Sequence, residues 1–306
     1  MVSANSTRPA TSLRVLVATA GELGIGLDVA LAGTGLTEQD IGDAGGEITI
    51  HQEMRAVENI AAVYPGEAGL GIAVGERMHV NAFGIWGFAI LTSPTFRAAV
   101  ETAMDYIRLS YAFADIDFRE EGPDARLVFE LAELPVAVRS YVLERQSMVT
   151  LHFASEVVDE RDVREFRIET TRSPSYAAAL AERSGLDVVA GAPHDALAFP
   201  RRMLELDVPR SDPVTLRYCL EQCESLTARL DAETQPWSAR VRDVLTEDIA
   251  RDHQVGWAAE RLAVNERTLR RRLADENTTF RQLYAETRLS IARELLETAG
   301  LSVEAV

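Results

Sequence analysis

The 306 residues are 47% hydrophobic and 26% charged, a composition that suits a globular protein of about two domains. No run approaches the roughly 18 apolar residues a membrane helix needs, and the start lacks a basic stretch followed by an apolar core, so a cytoplasmic protein without a membrane partner is expected. The net charge of −17 argues against nucleic acid only until it is located: residues 235–306 hold 11 arginines against 12 Asp and Glu, while residues 1–234 hold 20 against 36.

In chain order, residues 12–32 mix Leu, Val and Ala at helical intervals, but Gly21, Gly24 and Gly26 predict a break followed by a turn-rich stretch through Gly46. The order G-x-x-G-x-G is wrong for a dinucleotide loop, and no clear strand precedes it. A second helix is predicted over 52–64, ending at Pro65-Gly66. An apolar stretch, Phe83 to Leu91, leads to Ser93-Pro94, read as N-cap and first helical residue of the next helix. There Phe96, Ala99, Val100, Ala103 and Ile107 form one stripe.

Phe113–Arg119 and Ala125–Leu131 read as a hairpin around a turn-forming Glu-Glu-Gly-Pro-Asp run. Residues 135–156 read as helix and 162–170 as strand. Ser173-Pro174 opens a helix that stops near Gly185, two further strands flank 192–195, and 212–230 is helical. The first domain, residues 1–230, is therefore expected to be α+β, with Gln235-Pro236 near the start of an all-α domain over 231–306.

In that second domain Val241, Val244, Leu245 and Ile249 predict one short helix, and another begins near Gly256. The run from Trp257 to Leu273 reads as two helices joined by a tight turn: Ala259 is small where they would touch, Leu262, Val264, Leu269 and Leu273 supply apolar contacts, and Asn265 caps the second helix. Arg267, Arg270 and Arg271 share its exposed face. Arginine reaches guanine O6 and N7 with two hydrogen bonds and a helix fits the major groove, so this face is a candidate reading head, with Thr268 beside it and Arg272 on a different face, toward phosphate or a neighbouring acid. The competing reading is a solvated arginine face paired with Glu260, Glu266 and Asp275. Asn277 is placed to end the helix in a left-handed conformation, and Thr279-x-x-Gln282 has the form of a capping box opening a long helix with Phe280, Leu283, Tyr284, Thr287, Ile291 and Leu295 along one side.

These residues, Leu-Ala-Val-Asn-Glu-Arg-Thr-Leu-Arg-Arg-Arg-Leu, then Thr-Thr-Phe-Arg-Gln-Leu, then Arg288-x-x-x-Ala292-x-x-Leu295-Leu296, resemble the first half of an AraC/XylS-type DNA-binding module. The first domain resembles the amino-terminal, arabinose-binding-like effector domain of a subgroup of these regulators, through Gly-Ile-Trp-Gly-Phe-Ala-Ile-Leu-Thr-Ser-Pro-Thr between His79 and Leu109, Gly191 to Pro200, and Asp212-Pro213. The resemblance implies a bacterial transcription regulator controlled by a small effector, with double-stranded operator DNA as partner, RNA polymerase and a second copy of the chain as further partners, and Arg267, Arg270 and Arg271 in the base-facing places. The family's module carries a second helix-turn-helix. Here Leu301–Val306 resembles only its opening, so the module is read as truncated, with half of the family's DNA-binding surface absent.

Candidate effector-binding residues are Phe83, Trp86, Phe88, Tyr106 and Tyr111, with Phe113 beside them, and Arg77, His79 and Arg55 as anchors for a carboxylate. Plain aromatic core is the competing reading. Cys219 and Cys223, at a same-face helical spacing, are expected as buried small side chains rather than metal ligands. No G-x-S-x-G, H-E-x-x-H or phosphate loop occurs, so no enzyme, cofactor or metal is expected. Three rivals stay open: a protein-interaction tail whose arginines meet carboxylates, a small-molecule-binding protein without DNA activity because the second helix-turn-helix is missing, and an enzyme in the first domain.

Overall fold

The computed structural model of the protein describes residues 7–43, 45–248 and 253–298. The chain divides into two compact units, Met1–Thr227 and Ala228–Val306.

The first unit opens with β1 (Thr7–Pro9), α1 (Thr11–Glu22), α2 (Leu27–Leu31), α3 (Glu38–Gly42), β2 (Glu47–Thr49) and α4 (Ile50–Val63). β1 and β2 pair antiparallel. The predicted break falls after α1, where Gly24 takes a φ of 80° that a side chain would resist. Thr49 and Gln52 form a capping box at the start of α4, and Tyr64, before Pro65, is already extended.

Next come α5 (Leu70–Gly75), a 3₁₀ turn at Val80–Phe83, α6 (Gly84–Leu91) and α7 (Phe96–Asp105), followed by a second 3₁₀ turn at Ile107–Leu109. The apolar stretch before Ser93 is thus α6. The cap of α7 differs from the sequence expectation. Thr95, not Ser93, accepts from Ala98 N at 3.2 Å, while Ser93 Oγ donates back to the Ala89 carbonyl at 2.9 Å. The cause lies far along the chain: Thr95 bridges to Asp207, Phe96 N donates to the Leu206 carbonyl and Val208 N to that of Pro94, and this pairing holds Pro94 and Thr95 outside the helix.

β3 (Asp115–Glu121) and β4 (Asp124–Glu130) form the expected hairpin, with Gly122 at φ 60° in its turn. After α8 (Val136–Val157), the segment read as a strand from 162 begins with a helical turn, α9 (Glu160–Val163), and the strand β5 is confined to Arg167–Thr170. Asp159 explains this, because its carbonyl accepts from both Asp162 N and Val163 N. α10 (Pro174–Ser184) is capped by Ser173 and closed by Gly185 in the left-handed region. β6 (Asp187–Ala190), β7 (Ala196–Pro200) and the part of α11 (Pro213–Thr234) up to Thr227 complete the unit's elements. The five-stranded sheet has the order β3-β4-β7-β5-β6, antiparallel except for β5 and β6, which α10 connects. A sheet with helices gathered against it gives the α+β architecture.

α8 is the central helix. Its middle, Tyr141 to Val149, is buried, including Glu144, Arg145, Gln146 and Ser147. α5 comes so close that a Cβ on Gly71 would stand 2.6 Å from Glu144 Cβ and 2.7 Å from Arg145 N. Glu144 reaches back to cap α5, accepting from Gly69 N at 3.0 Å and Gly71 N at 2.9 Å, and the Tyr176 hydroxyl donates to it at 2.9 Å. Cys219 and Cys223 are buried as free thiols on α11, and burial pushes the Cys223 thiol up to about 11.

The second unit consists of α12 (Trp237–Glu247), α13 (Val255–Arg261), α14 (Glu266–Asp275) and α15 (Phe280–Thr298). Val241, Leu245, Ala258, Ala259, Leu269, Leu273 and Leu283 form its own core, with Leu262 and Val264 half-buried against it. Ile249 and Leu301–Val306, which carried sequence readings, lie outside the described residues.

Candidate nucleic-acid interface and effector cavity

α13 and α14 are joined by four residues, and a Cβ on Gly256 would stand 2.6 Å from Glu266 Oε1, so the two helices meet closely. The turn contains no glycine. Ala263 takes a φ of 54°, and Val264 N donates to the Ala259 carbonyl at 2.9 Å, which closes α13 where glycine would be the usual choice. Asn265 then caps α14, its side-chain oxygen accepting from Thr268 N at 2.8 Å. Leu269 and Leu273 are buried, and the opposite face of α14 is left to the arginines.

Arg267, Arg270, Arg271 and Arg272 are all exposed, and Thr268 is half-buried. Of the acidic partners considered for this face, Glu266 pairs with Arg270 at 2.7 Å, a surface i,i+4 contact that stabilises little and exchanges readily. Arg267 and Arg271 have no ion pair among the described residues. Arg272 lies over the Trp237 ring at 6.0 Å, which places it near α12 and apart from the other three.

At the end of α14, Asn277 is left-handed at φ 56° as expected, with Thr278 N donating to the Leu273 carbonyl. Thr279 Oγ1 accepts from Gln282 N at 3.3 Å to open α15. Glu276 carries no signal in the sequence. Its carboxylate accepts from Trp237 N at 2.6 Å and Ser238 N at 2.9 Å, so it caps α12 from the end of α14. Burial opposes the ionised form, but hydrogen bonds from Ser238 and Trp237 and the nearby Arg242 charge prevail, and the carboxyl is held below the usual range.

The first unit encloses a small apolar cavity of about 70 Å³ between α6, α7, α8 and the sheet. Phe83, Trp86 and Tyr111 line it, together with Met78, Phe153 and the polar Arg145, Gln146 and Thr150. Phe83 stands 5.5 Å from Trp86, 5.4 Å from Tyr111 and 5.2 Å from Phe153, a tilted aromatic cluster.

The other expected residues lie elsewhere. Phe88 is 51% exposed on the outer face of α6. Tyr106 meets Glu224 of α11 at 3.5 Å, and burial raises its phenol above the ordinary value. Arg77 pairs with Glu22 at 2.6 Å, and Arg55 with Glu58 at 3.2 Å. His79 is exposed and stacks on His152 at 5.4 Å. Phe113 lies outside the lining with Arg8 and Arg145 each 4.5 Å from its ring. Phe88 is kept out because it sits on the outer face of α6, and the two arginines because surface carboxylates hold them.

Arg145, Gln146, Thr150 and Phe153 were not anticipated. The polar run Glu-Arg-Gln-Ser in the middle of α8 reads in sequence as a solvent face, and only its burial reveals otherwise. Among the described residues no group of His, Cys, Asp and Glu is arranged to hold a metal, and no helix is long and apolar enough to cross a membrane.

Residues 24–208 match the family described as the arabinose-binding domain of AraC transcription regulator, N-term. Along 97% of its length the chain is 32% identical to an HTH-type transcriptional regulator of Mycobacterium tuberculosis, spanning 88% of that protein. It is 28% identical to the ornithine utilization regulator of Pseudomonas aeruginosa, over 77% of this chain and 69% of that one. In fold it is similar to the crystal structure of the transcriptional regulator CdpR from Pseudomonas aeruginosa, with a TM-score of 0.52, 21% identity, and coverage of 96% of this chain and 88% of that chain. An α+β unit matched to this domain, a helix-turn-helix unit and relatives of the same kind along nearly the whole length agree: the chain belongs to the AraC family of helix-turn-helix transcription regulators.

Proposed function

We propose that residues 231–306 bind operator DNA with α14 in the major groove, and that residues 1–230 bind a small effector in the cavity beneath α6 and α8 and thereby adjust that binding. The observation that carries the DNA reading is the arginine face of α14. Leu269 and Leu273 fix the helix from behind, Asn265 fixes its start, and Arg267, Arg270 and Arg271 stand exposed in front. Bidentate arginine–guanine pairs each discriminate by about 1–3 kcal/mol. Thr268 at the helix start and Arg272 at its flank are assigned to the DNA backbone, where they position the protein without reading sequence.

The test is binding of the full chain to a duplex of its own upstream region over a salt series, beside a variant with Arg267, Arg270 and Arg271 changed to Ala. Site preference is expected to vanish in the variant, while the slope of log affinity against log salt, set by phosphate contacts, is largely kept. A variant that keeps its site preference would refute the assignment of α14. Binding that follows neither salt nor sequence would favour the protein-interaction reading. A homodimer and a contact with RNA polymerase extend the proposal. Sedimentation of the free chain tests the first, and polymerase recruitment to the bound duplex the second.

A further inference from the structure

Two donors on side chains of the cavity lining stand without a partner among the described residues. Trp86 Nε1 and Arg145 Nε are both buried, with side chains that line the cavity, and neither has a hydrogen-bond partner among the described residues. Both atoms donate and neither accepts. The remaining nitrogens of Arg145 are engaged: Nη1 donates to Ser12 Oγ at 2.9 Å, and Nη2 to the Tyr111 carbonyl and, at 3.4 Å, to Gln146 Oε1. An orphaned buried donor is costly, so two beside one cavity point to an acceptor supplied from outside.

Charge gives the same answer. Arg145 is the one formally charged side chain in the lining. It shares a single carboxylate with Arg8: the fully buried Glu53 lies 2.6 Å from Arg8 Nη2 but 3.8 Å from Arg145 Nη1. The Arg8 side chain is 9% exposed and that of Arg145 1%, so this buried cluster of two guanidiniums and one carboxylate carries a net positive charge. The Phe113 ring, 4.5 Å from both, spreads that charge without cancelling it. Such an excess is unfavourable unless an anion compensates it.

We infer that the cavity takes an apolar monocarboxylate, whose carboxylate accepts from Arg145 Nε and Trp86 Nε1 and whose hydrocarbon body lies against Met78, Phe83, Val149 and Phe153. This rests on reading the first unit as effector-binding. A neutral head group leaves the positive charge standing, an amine adds to it, and a second carboxylate would be forced against apolar wall.

The full-length chain is titrated by calorimetry with decanoate and 3-phenylpropanoate, and with decanol and decylamine as controls of unchanged chain. At least one acid is expected to bind about tenfold or more tighter than decanol, as a charge-assisted pair of hydrogen bonds implies, with decylamine weakest. Which acid wins tells an alkyl body from an aryl one. Trp86→Phe keeps the ring and removes one donor, so it should weaken the acid about fivefold and leave decanol unchanged. Arg145→Gln should abolish the preference for acid. Because Arg145 belongs to a buried cluster, circular dichroism must show that variant folded, and Trp86→Phe carries the test if it is not. Decanol matching both acids overturns the carboxylate inference and leaves an effector cavity of another class. Acid binding unchanged by Trp86→Phe overturns it as well. Failure of all four probes removes the cavity as a site for apolar ligands altogether, while DNA binding by α14 is judged by its own experiment.

Discussion

Ala263 closes α13 and Glu276 caps α12, and neither has a sequence signature. A non-glycine residue in the left-handed region costs about 1 kcal/mol, and the Ala263 methyl is exposed, so its removal forfeits little packing. Ala263→Gly is therefore expected to stabilise this unit by about 0.5 kcal/mol after allowing for the freer unfolded chain, and Ala263→Val to destabilise it, both read by urea denaturation. Glu276 acts by charge as well as by hydrogen bond, since it places a carboxylate at the start of α12. Its carboxyl is depressed in the folded state, so its contribution is present above the ordinary glutamate range and is lost as pH falls through the lower, folded value. Glu276→Gln should cost about 1 kcal/mol at neutral pH and flatten the acid limb of the stability profile. A limb as steep in the variant as in the parent would exclude Glu276 from it. Asn265, Asn277 and Thr279, by contrast, were legible in advance, because a cap is a local event between residues a few positions apart. Glu276 meets Trp237 across 39 positions, and no local pattern records that.

At the scale of elements, the close approach of α5 to α8 sets the position of everything on α8, including Arg145. Gly71→Ala would put a methyl within 2.6 Å of Glu144 Cβ and closer still to the Tyr141 carbonyl, so the helices must separate. A cost of about 2 kcal/mol or more is expected, against a gain of roughly 0.5–1 kcal/mol for Gly21→Ala, which meets nothing within 4 Å on the open side of α1. Thermal denaturation of the two variants checks the contrast, and equal effects would mean that α5 is free to shift. Helix and strand periods marked the longer elements of both units, but the short α3 and α5 and the three-residue strands β1 and β2 went unread. Other errors came where a distant strand-like pairing overrode a local cap, at Pro94 and Thr95, and where a helical turn preceded a strand, at α9. The cavity was legible only in its aromatics. Phe83, Trp86 and Tyr111 were picked out by type, but the same criterion also selected Phe88 and Tyr106, and the polar residues of α8 could be placed only by burial.

For the whole molecule, two units with separate cores should respond separately to what each binds. A ligand at 100 times its Kd adds about 2.7 kcal/mol to the unit that holds it. Decanoate should then raise the calorimetric transition of the first unit, and operator duplex that of the second. Regulation requires more than this, because a ligand that stabilises one unit without distinguishing the DNA-bound from the free protein shifts nothing. If the effector acts on DNA binding with the usual coupling of about 1–3 kcal/mol, it changes operator affinity by roughly 5- to 150-fold. Linkage then demands that duplex change decanoate affinity by the same factor. Measuring both arms by calorimetry on the full chain closes the cycle. Matching factors different from one would establish that the cavity and α14 share a two-state element, with Trp86→Phe weakening the ligand while leaving the factor intact. Factors of one in both arms would mean that the cavity and the arginine face work independently, and control of this regulator would then have to come from another input.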